Sequence, residues 1–99
     1  MKHKYNFKKF INSNIHQIFG TDSTKIGRPL SIAYKKQINA LDIKMNEIIF
    51  EKDEKYDPIF LLGLFDLALN QFSKTMTTNI SNYQELFLEF LENGKETID

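Results

Sequence analysis

Asp57-Pro58 opens a run in which Ile59, Phe60, Leu61, Leu62, Leu64, Phe65, Leu67, Ala68, Leu69 and Phe72 cover almost the whole circumference of a helix. A carboxylate cap followed by proline is a strong helix start. The carboxylate accepts from an unpaired backbone N–H, and proline has no such donor to lose. A helix apolar on nearly all sides must be covered by other segments, so this one is expected to be the central, most buried element. Its densest stretch, Ile59 to Leu69, has about half the ~20 residues a membrane span needs and contains Gly63 and Asp66. Its polar exception is Asp66, Asn70 and Ser73, spaced four and three apart. These side chains are expected to meet water or pair with neighbours, because a buried unpaired carboxylate is costly.

Three further segments repeat at helical spacing. Phe7, Phe10, Ile11, Ile15, Ile18 and Phe19 share one face, with Gly20 placed to end that helix. Tyr34, Ile38, Leu41, Met45 and Ile48 step by four, three, four and three behind a candidate N-cap, Ser31. This stripe is expected to be the core face of a bundle helix, and the same five side chains would also serve as a homodimer seam. Tyr83, Leu86, Phe87, Phe90 and Leu91 form a last face behind Ser81 and Gln84, which match a capping box, and Gly94 closes it. Residues from there to Asp99 are expected to fray. No segment alternates with period two, so no sheet is expected. The reading is a single all-α domain over 1–99, a compact four-helix bundle or orthogonal array with helices at about 5–19, 32–51, 58–76 and 82–93.

Chemistry is sparse. The chain has no cysteine and two histidines, which removes disulfides, thiol nucleophiles and Cys-ligated metals. His16 falls on the polar side of the first helix without a second ligand at metal spacing. No nucleophile elbow, phosphate loop or dinucleotide motif occurs. Glu47 and Glu51 share their face with Lys44 and Lys55, as on an ordinary solvated surface. No catalytic residue, metal or cofactor is expected. The amino terminus, Met1-Lys2-His3-Lys4-Tyr5-Asn6-Phe7-Lys8-Lys9, lacks the apolar core of a secretory signal, so a cytoplasmic protein without a membrane partner is expected.

Charge is divided along the chain. Residues 1–36 carry eight cations against one acid, Asp22, a balance of +7; residues 37–99 carry five lysines against twelve acids, a balance of −7. Phosphate neutralisation depends on local cations, so a neutral chain with one basic third is compatible with nucleic acid. Lys35 and Lys36 fall near the positive end of a helix macrodipole, where cations are mildly unfavourable, by ~0.3–1 kcal/mol each. Stability does not ask for them there; a polyanion does.

The chain's one arginine lies in Lys25-Ile26-Gly27-Arg28-Pro29-Leu30-Ser31. A Gly-Arg-Pro element just before a helix resembles the arm preceding the helix-turn-helix of bacterial DNA invertases and resolvases, a class that enters the minor groove. The string Gly27-Arg28-Pro29-Leu30-Ser31 after a short amphipathic helix is also similar to the amino-terminal helical region of insertion-sequence transposases. The resemblance implies that Arg28 contacts DNA, with Gly27 allowing close approach and Pro29 stiffening the helix start. No counterpart of a transposase's acidic metal-binding triad is present. The last helix carries Glu85, Glu89 and Glu92, which repel phosphate, so it is not a recognition helix. The expected DNA-binding residues are therefore Lys8, Lys9, Lys25, Arg28, Lys35 and Lys36, in a non-enzymatic protein of mobile-element, phage or plasmid type. The alternative is a protein-binding module, such as a bacteriocin-immunity-like protein, an antitoxin or a phage-encoded inhibitor, acting through its acidic helical surface.

Overall fold

The computed structural model describes residues 2–20, 31–52, 55–72 and 78–98. In chain order the elements are β1 (Lys2–Tyr5), α1 (Phe7–Ser13), α2 (Ile15–Phe19), α3 (Ser31–Glu51), α4 (Pro58–Phe72), α5 (Ile80–Asn93) and β2 (Lys95–Ile98). The architecture is an all-α bundle. Helix α1 packs on α3, α3 on α4 and α4 on α5, while α2 returns to α5.

The expected absence of strands is corrected at the termini. β1 and β2 pair antiparallel, with Lys2 opposite Ile98 and Tyr5 opposite Lys95, where a frayed tail was expected. A two-stranded ribbon is marginal on its own and needs support from packing. Tyr5 supplies it. The Asn46 side chain accepts from the Tyr5 N–H at 2.9 Å and donates to the Tyr5 carbonyl at 2.9 Å, standing in for a neighbouring strand. The Tyr5 hydroxyl donates to the Leu91 carbonyl at 2.7 Å and therefore accepts from the Tyr56 hydroxyl, also at 2.7 Å. One turn before Asn46, Asp42 is only 4% exposed and accepts from the Phe7 N–H at 2.7 Å, at the start of α1.

The first predicted helix is two. Asn14 ends α1 and begins α2, its N–H shared between the Phe10 and Ile11 carbonyls and its side-chain amide donating to Phe10 O at 2.8 Å. An asparagine side chain that bonds nearby backbone competes with helix continuation, and here it redirects the chain so that Ile18 and Phe19 are buried. Gly20 closes α2 at φ 59°, a conformation glycine adopts without a Cβ penalty. Gly94 closes α5 for a different reason. Its φ is −92°, but a Cβ there would lie 2.6 Å from the Phe90 carbonyl oxygen, so the position needs space.

Other boundaries shift as well. Asp57 caps α4 as expected, accepting from the Ile59 N–H at 2.9 Å. Helix α5 begins at Ile80 behind Asn79, so Ser81 and Gln84 lie inside it and the capping box does not form. Tertiary bonds set that start: the Asn79 N–H donates to the Ile18 carbonyl at 3.2 Å. Ser31, expected as the cap of the second helix, is instead the first residue of α3, and the last expected turn of the third helix, residues 73–76, lies outside the described residues.

The core is aromatic. Phe7, Phe65, Tyr83 and Phe87 are fully buried, with Phe65 and Phe87 ring centroids 4.6 Å apart and Phe10 edge-on to Phe87 at 5.6 Å. Tyr34, Ile38, Leu41 and Met45 are buried in this same core, with Ile48 half-buried at its edge. That corrects the homodimer seam: the stripe is consumed within the chain. The expectation of α4 as the central, most buried helix is also corrected. Leu61, Leu62, Phe65 and Leu69 are buried, but Ile59, Phe60 and Leu67 are 61%, 53% and 55% exposed, because the neighbouring helices cover one side of it.

Replacing Asn46 by alanine removes its two bonds to Tyr5 and a third, from its amide to the Asp42 carbonyl, and strands the Tyr5 backbone, so Asn46→Ala should cost ~2–4 kcal/mol. Urea unfolding measures this, with the exposed Gln17→Ala as a control expected to stay within ~0.5 kcal/mol. Equal small effects would contradict the clamp.

Candidate nucleic-acid interface

Helix α1 turns Phe7, Phe10 and Ile11 inward, so Lys8 and Lys9 point outward. Neighbours on a helix diverge by about 100°, and the two lysines part company accordingly. Lys8 faces α3. Lys9 borders a separate depression of about 430 Å³ between α1 and α5, with Asn14, Phe90 and Asn93. On α3, Tyr34 and Ile38 point inward and leave Lys35 and Lys36 exposed in the second turn.

Two sets of bonds hold α1 in register with α3. Asp42 and Asn46 hold its start, and the Tyr34 hydroxyl donates to Asn12 Oδ1 at 2.8 Å near its end. This alignment brings Lys8, Lys35 and Lys36 around one groove of about 500 Å³, lined also by Asn12, Ile32, Tyr34, Ile38 and Asn39. No acid lines it. Among the described residues, none of these three lysines forms an ion pair. Two amides and three ammonium groups therefore offer hydrogen-bond donors to an anion over a floor of Tyr34 and Ile38, with Ile32 at the rim, 78% exposed.

Three of the six cations predicted from sequence thus share a site. Lys9 does not, and Lys25 and Arg28, with the Gly-Arg-Pro string, lie outside the described residues. Asn12, Tyr34 and Asn39 belong to the site without having been expected there. The signal for Tyr34 was a phenol on an otherwise aliphatic stripe, since a buried tyrosine brings a hydroxyl that needs a partner. Burial pushes its ionisation up to about 12.

The polar stripe of α4 is a second cluster, and it is a structural tie. Asp66 Oδ1 accepts from the Tyr83 hydroxyl at 2.6 Å, and Asp66 Oδ2 accepts from Asn70 at 3.1 Å. The Thr78 hydroxyl lies 2.7 Å from Asp66 Oδ1 and 3.0 Å from Asn70 Oδ1, and donates to one of them. Together these bonds fasten α4 to the approach of α5. Burial, reinforced by the hydrogen bond to Asp66 and its charge, drives Tyr83 ionisation well above the ordinary tyrosine range. Ser73 lies outside the described residues.

Glu85, Glu89 and Glu92 are exposed on α5. Among the described residues no group of three or more acids and histidines could hold a metal, and no helix is long and apolar enough to cross a membrane. Comparison of the chain with protein families, curated proteins and solved structures finds no match.

The two tyrosines make stability sensitive to alkali. Unfolded tyrosines ionise near pH 10, while Tyr34 keeps its proton to about 12 and Tyr83 beyond that. Their contribution is fully present below pH 10 and is lost as pH rises through 12, by ~2–3 kcal/mol for Tyr34. Urea midpoints measured from pH 8 to 11 should fall, and Tyr34→Phe and Tyr83→Phe should each flatten the fall. An unchanged slope in both variants would refute it.

Proposed function

We propose that this is a small, non-enzymatic DNA-associated protein that grips the phosphate backbone through the groove between α1 and α3. The observation that carries the reading is the gathering of Lys8, Lys35 and Lys36 around one depression with no acid among its described lining residues. Phosphate contacts of this kind position a protein on a duplex without reading sequence, and Asn12 and Asn39 suit the same backbone. The exposed carboxylates of α5 disfavour approach by that helix, so binding is one-sided. Lys25 and Arg28 join the set on the strength of the sequence and of the resemblance to invertase and transposase arms.

A second reading, a protein-binding module of the immunity, antitoxin or inhibitor kind, is favoured by a different observation. Exposed Ile59, Phe60 and Leu67 on α4 give the chain an uncovered apolar face beside the acidic surface of α5.

Fluorescence anisotropy with a labelled duplex separates the two. Five released counterions predict a log–log salt slope near −4.5, or about 500-fold weaker binding at 200 mM than at 50 mM salt. The affinity is expected to be micromolar or weaker. Lys8→Ala/Lys35→Ala/Lys36→Ala should abolish binding, Lys9→Ala should change it little, and Arg28→Ala should weaken it. Equal, negligible signals for wild type and triple variant at 50 mM salt would end the DNA reading.

A further inference from the structure

Helix α4 presents an apolar ridge to solvent on the side opposite Leu61, Phe65 and Leu69. Phe60 and Leu67 lie two turns apart on that ridge and are more than half exposed. Gly63 sits between them, and a Cβ built there would meet nothing within 4 Å, so the ridge has a notch at its middle. The charged residue of α4, Asp66, is engaged by Tyr83 and Thr78 on the α5 side, which leaves the ridge uncharged.

A groove runs along each flank. Between α3 and α4, a depression of about 250 Å³ includes Ile48, Leu64 and Ala68, and a second of about 270 Å³ continues past Ile48 to Phe60. The charged residues lining this flank are Lys44, Lys52, Lys55 and Asp57. Between α4 and α5, a depression of about 450 Å³ includes Ile59, Leu88 and Glu92. Glu85, Leu88 and Glu92 are three and four residues apart on α5, so Glu85 extends the same margin. Three lysines against one carboxylate make the first margin net cationic, the other is anionic, and an apolar ridge lies between them.

We propose that this face binds a second copy of the chain. A foreign partner would have to bring its own ridge and both charges in mirrored order, whereas a copy already carries them. A two-fold axis parallel to α4 sets Phe60, Gly63 and Leu67 against their own counterparts, lets the two helices close up at the Gly63 notches, and faces the Lys44–Lys52 margin of one copy with the Glu85–Glu92 margin of the other. The interface deepens the protein-contact reading and is independent of the DNA reading, since the ridge and the Lys8–Lys36 groove lie on different sides of α3.

Sedimentation velocity of the full chain from about 1 to 200 µM tests this. The expected result is a concentration-dependent shift from the 11.7 kDa chain to twice that mass. Leu67→Glu should raise the dissociation constant at least tenfold. Gly63→Leu should do the same while leaving the thermal midpoint unchanged or raised, because leucine favours helix over glycine and nothing obstructs it in the monomer. Lys44→Glu/Lys52→Glu should lose self-association at low salt and regain it on mixing with Glu85→Lys/Glu92→Lys. A monomer across the whole range overturns the proposal. So does a dimer that folded Leu67→Glu and Gly63→Leu variants retain.

Discussion

Two polar side chains one turn apart on α3 hold the rest of the structure in place. Asp42 takes the first N–H of α1, and Asn46 takes both backbone groups of Tyr5. A buried carboxylate or amide without partners is expensive, so these groups tolerate one register of the amino-terminal segment and penalise its neighbours. With Tyr5 fixed, its ring enters the core, its hydroxyl reaches the Leu91 carbonyl, and β1 is placed to pair with β2. The aromatic contacts of Phe7 and Phe10 with Phe65, Phe87 and Phe90 then follow from where α1 must start.

The surface inherits this register. Because α1 is pinned at Phe7 and again at Asn12, Lys8 is carried to the α3 side and Lys9 away from it. The packing that gathers three lysines also leaves α4 half-covered. One neighbour, α3, is committed to α1 on another of its sides, and α5 is tied down through Asp66, Thr78 and Tyr83. The basic groove and the apolar ridge are thus separate consequences of one packing arrangement.

Much of the helical content was legible in the sequence because it rests on local physics. The apolar period of α3, the Asp57 cap and the glycine after Phe19 each act over a few residues. What was missed depends on distant partners. The Tyr5–Leu91 and Asn46–Tyr5 bonds span 86 and 41 residues, and a four-residue strand carries too little alternation to announce itself. The Ser81 capping box was plausible locally, but Asn79 answers to Ile18. The uniform hydrophobicity of α4 argued for burial on all sides, whereas coverage depends on where the other helices are anchored. Of the predicted cations, Lys8, Lys9, Lys35 and Lys36 are among the described residues and are exposed, but the divergence of Lys8 from Lys9 needs the position of α3.

Native-state amide hydrogen exchange tests the clamp most directly. The Tyr5 and Phe7 amides, although close to Met1, should exchange as slowly as core amides of α3 and α4, through global unfolding alone. Fast exchange at Tyr5 and Phe7, on the scale of a fraying end, would contradict it.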